Sequence, residues 1–190
     1  MQRPNRRTSP RGRLISSVAM LVVVFIAMQV YSVRKTGDLL RIGADAYTHC
    51  TLAGAYPHQS DRKEMTLGLG LFGPMLQPVL DQAAGDEVVA AHQCTVNGRN
   101  YFQIVLQRGR TLISVALTKR EDADAFPRSL MADTVKASGT TVHQGTVDGY
   151  SVAGFESGVY MAYVISALPK DETTALAARL VPVIRRYTQA

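Results

Sequence analysis

The chain has no tryptophan, only two cysteines, and not one acidic residue before Asp38. Two cysteines in 190 residues exclude both a disulfide-dense scaffold and a four-cysteine zinc site. The spaced signatures of common enzymes are missing as well. There is no Gly-x-Ser-x-Gly, no His-Glu-x-x-His, no glycine-rich phosphate loop ending in Lys-Ser/Thr, and no Gly-x-Gly-x-x-Gly opening a helix. The glycines of Gly68-Leu69-Gly70-Leu71 follow no expected strand, and no pair of carboxylates is placed by spacing alone. These absences argue against an enzyme.

The most telling scarcity is of charge. Residues 14–33 are 20 residues without a charge, 16 of them apolar, and the polar ones (Ser16, Ser17, Gln29, Ser32) lie toward the two ends. At about 1.5 Å per residue a helix over this stretch spans roughly 30 Å, the thickness of a bilayer's hydrocarbon core. A core helix would show a polar face, and this stretch has none. It reads as a single-pass transmembrane anchor. Arg3, Arg6, Arg7, Arg11 and Arg13 precede it, against Arg34 and Lys35 after it, which places the N-terminus in the cytoplasm and the rest across the membrane. A cleaved signal peptide would have a shorter apolar region and a small-x-small cleavage site. The stretch Met28-Gln29-Val30-Tyr31-Ser32-Val33 offers no such site, so a signal-anchor in the inner membrane is the better reading. The pair Arg6-Arg7, followed by Thr8-Ser9-Pro10, fits twin-arginine export poorly.

The net charge of +6 is an effect of topology. All 15 acidic residues but only 14 of the 21 Lys and Arg lie at or beyond residue 38, so the exported part is near −1. No basic stripe remains to bind nucleic acid, and the tail's arginines are accounted for by orientation and anionic lipid.

Residues 38–190 have the length of one extracytoplasmic, periplasmic domain, with 1–13 as a basic cytoplasmic tail and 14–33 as the anchor. Leu39, Ile42, Ala46, Cys50 and Ala53 recur at helical spacing, so a helix over 38–53 continues from the membrane until Gly54 and Pro57. Asp61 with Glu64 marks a helix start, and Met75, Leu76, Val79, Leu80 and Ala83 form a second apolar stripe. Period-two patterning then predicts strands over 88–96, 100–107 and 111–118, joined at Asn97-Gly98 and Arg108-Gly109. Residues 121–137 read as a short helix or a loop around Pro127. A second strand set, 141–147, 150–156 and 159–166, turns at Asp148-Gly149 and Ser157-Gly158. A final helix over 171–187 buries Leu176, Leu180, Ile184 and Tyr187, with a kink expected at Pro182. Short hairpin links mean antiparallel pairing. The fold class is α+β: a meandering antiparallel sheet covered by helices on one face.

Both cysteines have a histidine nearby, as His49-Cys50 and His92-Gln93-Cys94. Strand alternation puts His92 and Cys94 on one face with Val88, Ala90 and Val96. A two-residue turn at Asn97-Gly98 sets Cys94 opposite Tyr101. A bulged three-residue loop sets it opposite Phe102, with Ile104 and Leu106 on the same face, and is preferred for its continuous apolar face. Three readings of the cluster stand open. Cys50 and Cys94 form a disulfide, which an oxidising compartment favours. Alternatively, His49, Cys50, His92 and Cys94 hold copper, zinc or haem, although their spacing matches no established motif. In the third reading the thiols are redox-active, which requires an exposed thiolate of low pKa. His58 in its loop and His143 in its strand read as a solvated and a satisfied structural residue. Met65, Met75, Met131 and Met161 are scattered singly, unlike a copper-binding run.

Three stretches carry a resemblance: Tyr47-Thr48-His49-Cys50, Ala91-His92-Gln93-Cys94, and the run from Gly149-Tyr150-Ser151-Val152-Ala153-Gly154-Phe155-Glu156 into Tyr160-Met161-Ala162-Tyr163-Val164. Together they resemble the extracytoplasmic domain of bacterial transmembrane anti-sigma-factor-like proteins. In that family a cytoplasmic zinc-binding helical domain sequesters a sigma factor. The 13 residues ahead of the anchor hold no His or Cys, so the resemblance extends to the external module alone. The expected role is a membrane-anchored sensor, assembly or accessory subunit that works through another membrane protein, with Gln29 and the Ser16/Ser17 pair as candidate interhelical positions.

Overall fold

The computed structural model describes residues 10–54, 61–83, 85–127 and 133–189, with side chains from residue 20 onward. His58 and Met131 lie outside the described residues. Helix α1 (Pro10–Ala46) runs 37 residues without a break and passes directly into a π-helical turn, Tyr47–Leu52. The expected membrane segment and the helix expected after it are therefore one rod. Gly54, at φ 63, stops it.

Helix α2 (Arg62–Gly68) opens where the sequence indicated, with the Glu64 backbone N–H donating to Asp61 Oδ1 at 2.8 Å. A 3-10 segment, Gly70–Met75, leads into α3 (Leu76–Gln82). Seven strands follow: β1 (Glu87–Val96), β2 (Arg99–Arg108), β3 (Thr111–Lys119), β4 (Thr134–Ala137), β5 (Thr140–Val147), β6 (Tyr150–Ser157) and β7 (Tyr160–Ser166). Helix α4 (Lys170–Thr188) closes the chain and continues through Pro182. All strand pairs are antiparallel, in the order β1-β2-β3-β7-β6-β5-β4, so the fold is the α+β sheet read from the sequence. Of residues 121–137, expected as a short helix or a loop, 128–132 lie outside the described residues and the end forms the short edge strand β4, four residues that are mostly exposed.

The sheet is covered on both faces, not one. Phe155, Ala153, Val115, Leu117 and Ile104 point to one side, under Phe72, Leu76, Val79, Leu176, Leu180 and Ile184 of the 3-10 segment, α3 and α4. Val152, Tyr163, Ala116 and Tyr101 point to the other, under Leu39, Leu40, Ala44, Ala46 and Tyr47 of α1. This second cover corrects the hairpin register. Asn97 (φ 52) and Gly98 (φ 78) make a two-residue turn of the I′ kind, so Cys94 pairs with Tyr101 and not Phe102. A bulged loop would give Cys94 an apolar face, but Tyr101, Gln103 and Val105 are buried as well, with Tyr101 and Gln103 beneath α1. A sheet buried on both sides removes the hydrophobic alternation that fixes register by sequence.

The second cover also crosses the strands in order. Leu40 lies against Gly145 of β5, Gly43 against Tyr163 of β7, and the Ala46 carbonyl accepts from Gln103 of β2, while Cys50 is joined to Cys94 of β1. Ten helical residues rise about 15 Å, whereas the five strand spacings from β5 to β1 cover about 24 Å. Side-chain reach at both ends makes up the difference only if the helix axis lies nearly perpendicular to the strands.

Candidate functional site

The seam between α1 and the sheet collects the chemistry of the molecule. Its centre is Gly43 of α1, where a side chain would not fit. A Cβ there would stand 2.6 Å from Cδ1 of the Tyr163 ring, which is fully buried. Gly154, paired with Tyr163, leaves room for that ring and for Phe126 in the same way. Hydrogen bonds flank this fit: Tyr47 Oη donates to the Leu112 carbonyl at 2.9 Å, and Gln103 Nε2 to the Ala46 carbonyl at 3.3 Å. The Tyr47 ring meets Tyr150 edge-on, with centroids 5.0 Å apart. Arg41 pairs with Asp148 at the β5–β6 turn, an exposed bridge of little energetic weight.

At the far end of the seam Cys50 and Cys94 form a disulfide with Cα atoms 6.2 Å apart, and no described cysteine is free. The bridge takes both sulfurs out of any ligand set while it is oxidised. The structure brings only part of the Cys/His cluster together. His49 is exposed in the π-helical turn, while His92 is buried on β1 opposite Gln103. Among the described residues no three of His, Cys, Asp or Glu converge as a metal set. Copper, zinc or haem on His49, Cys50, His92 and Cys94 would require the reduced chain.

What the sequence did not reveal is how polar this buried seam is. Thr51 Oγ1, Gln103 Oε1, Ser114 Oγ, His143 Nδ1 and Tyr163 Oη are buried without a hydrogen-bond partner. Four of them project from the sheet face under α1, and Thr51 belongs to the turn that continues it. Register places Gln103 and Tyr163 directly beside Ala116 and Ser114 diagonal to both. Burial first, then the neighbouring Tyr101, Asp124 and Glu156 against the pull of Arg99, pushes the Tyr163 hydroxyl far above its ordinary range, and burial with Tyr150 beside it raises Tyr47 to about 12. His143, expected to be satisfied, is instead stacked flat on Phe126 with centroids 4.2 Å apart. Burial pulls its pKa down to about 4 against the attraction of Glu156. The available signal was Gln103 and Ser114, polar residues inside otherwise apolar strands.

Among the described residues, one helix is long and apolar enough to cross a membrane. Its apolar part stands clear of the domain, with Leu21 70% and Phe25 55% exposed, whereas Thr36, Leu39 and Leu40 are buried. No protein-family model and no curated protein matches the chain. The fold and the seam together define a helix-anchored α+β module, with a bridge of the kind that forms in oxidising compartments.

Proposed function

We propose that this chain is a non-enzymatic subunit of a membrane complex, a sensor, assembly or accessory module held in the inner membrane with its N-terminus in the cytoplasm and its α+β domain outside. The observation that carries the reading is the continuity of α1. The helix that is apolar over residues 20–33 becomes the cover of the sheet within a few residues, and its end is bonded covalently to β1. A displacement of the anchor would thus reach the core directly. The disulfide and the arginine-rich tail support the orientation, and the resemblance to the external module of anti-sigma-factor-like proteins supports a sensing or assembly role. In this reading a signal leaves the domain through another membrane protein that packs on the anchor.

Two measurements test this. Alkaline phosphatase fused after Ala190 should be active and a fluorescent protein at the same place dark. Extraction in mild detergent should yield the chain together with a second membrane protein. An inactive phosphatase fusion, or a lone monomer, overturns the reading.

A further inference from the structure

The perpendicular crossing of α1 fixes which part of the domain meets the membrane. The helix reaches the sheet at β5, and only β4 lies beyond β5 on the side from which the helix comes. Leu40, over β5, is seven residues past Val33, a rise of about 10 Å, and β4 is one strand spacing, about 5 Å, nearer the apolar segment. The edge of β4 therefore sits about 5 Å beyond the last apolar turn, within the headgroup layer. Burial of Thr36, three residues after Val33, independently shows how early the domain begins to pack on the helix. The opposite edge, β1, is six strand spacings farther, about 29 Å.

The chemistry at this end fits a negatively charged surface. Arg34 and Lys35 leave the apolar segment, and Lys136 projects exposed from β4. At the β4–β5 turn a shallow cleft of about 410 Å³ is lined by Ser138, Pro182, Arg185, Arg186 and Gln189. Arg185 is partly engaged, donating to the Ser138 carbonyl at 2.8 Å, while Arg186 is exposed. Asp133 is paired with Lys170 at 2.6 Å. Among the described residues nothing pairs with the outer edge of β4, whose backbone groups are open to headgroups and interfacial water.

We infer that the β4 edge, Lys136 and the Ser138–Arg185–Arg186 cleft rest on anionic phospholipid headgroups, so that the sheet stands on the bilayer with its strands parallel to the surface. The inference rests on α1 being the anchor, and the test separates the two. The full chain, with its native bridge oxidised, is prepared as three single-site variants, Val135→Cys, Thr95→Cys and Phe25→Cys. Each is spin-labelled and placed in nanodiscs of phosphatidylcholine and phosphatidylglycerol that contain a nickel-chelating lipid. Headgroup nickel should relax the label at 135 severalfold more than the label at 95, and the label at 25 should be accessible to oxygen rather than to aqueous nickel. Equal responses at 135 and 95, with 25 in the acyl region, overturn the inference and leave the anchor standing. A water-exposed label at 25 overturns the anchor itself. The response at 135 should also drop when Lys136→Glu and Arg186→Glu are combined, and in discs of phosphatidylcholine alone. An unchanged response in both overturns the role of charge.

Discussion

On the face of the sheet under α4, polar groups meet their partners. Ser166 bonds Thr173 at 2.7 Å, Ser157 bonds Thr188 at 2.6 Å, and Thr174 reaches Gln144. On the face under α1, four polar atoms are buried with none, and Thr51 Oγ1 of the turn that continues the helix is a fifth. Leaving a buried polar atom unpaired costs about 1–3 kcal/mol each, so the two covers cannot be held on by the same means. The α4 cover is stabilised by apolar burial with its polar groups paired. The α1 cover adds to its own apolar burial a close steric fit at Gly43 and a covalent bond. The comparison teaches that the helix shared with the membrane has the weaker non-covalent hold on the core, and that the disulfide compensates for it.

The largest expected effect comes from removing that compensation. Cys50 and Cys94 are separated by 44 positions, and opening a loop of that size lowers stability by about 4 kcal/mol in the chain-entropy picture. Cys94→Ser should show this loss in urea unfolding of the full chain. Hydrogen exchange should quicken first in the second half of α1 and the π-helical turn, while α4 stays protected. Titration of the denatured, unreduced wild type should find no reactive thiol. Two per chain would sink the bridge and reopen the metal reading, which the metal content of that preparation would then decide.

Steric fit comes next. Gly43→Val places branched carbons against the Tyr163 ring, and overpacking of this kind costs about 1–3 kcal/mol. Gly37 lies in the same helix with nothing within 4 Å of the position its Cβ would take. Gly37→Ala should therefore be neutral or gain up to about 1 kcal/mol in helix propensity. If thermal unfolding moved equally in both variants, the close fit at Gly43 would not be what holds α1 down.

Acidity sharpens the same contrast, because His92 and His143 both lie on the α1 face. The His143 pKa is about 4 when folded, against about 6.5 in the unfolded chain. Above pH 6.5 both states are neutral there and the contribution to stability is complete. As the pH falls from 6.5 toward 4, the unfolded chain binds a proton that the folded chain excludes, and about 2 kcal/mol is lost. Lowering of the His92 pKa by burial acts in the same direction. Glu156 and Lys136 face His143 and oppose one another. His143→Phe keeps the stack on Phe126 and should flatten the slope of stability between pH 4 and 6.5. An unaltered slope would assign it to other groups.

Much of this architecture was legible because it is written in local chemistry. Turns such as Asn97-Gly98 and Asp148-Gly149 adopt the positive φ values those residue pairs favour, and the strands around them fall within a residue or two of their expected ends. The Asp61–Glu64 cap and the 3.6-residue stripe of α4 were legible for the same reason. The Cys50–Cys94 pairing was open to reading because only two cysteines exist. The register of Cys94 is not legible in the sequence because it depends on a distant element, α1, burying the second face. The edge strand β4 escaped because Thr134-Val135-Lys136-Ala137 is short and exposed, with no apolar alternation to announce it. The polar seam escaped because a glutamine, a serine and a tyrosine in strands carry no mark of which partner will be missing.

The smallest expected effect tests the contrast by its sign. Ser114 Oγ is fully buried on the α1 face without a partner, so Ser114→Ala removes a desolvated hydroxyl and leaves the neighbouring strands unchanged. Deleting an unpaired group should be neutral or stabilising by up to about 1 kcal/mol. Ser166, equally buried on the α4 face, bonds the Thr173 hydroxyl and accepts from the Leu168 backbone N–H at 3.1 Å. Ser166→Ala strands both partners and should destabilise by about 1–2 kcal/mol. The two substitutions remove the same atom from the same sheet, one strand apart across the β3–β7 pairing. If unfolding midpoints show both to be destabilising by similar amounts, then Ser114 has a partner, such as a buried water, and the α1 face is as well satisfied as the other. If they move in opposite directions, the polar seam is a true energetic weakness of the anchored face, which the disulfide offsets.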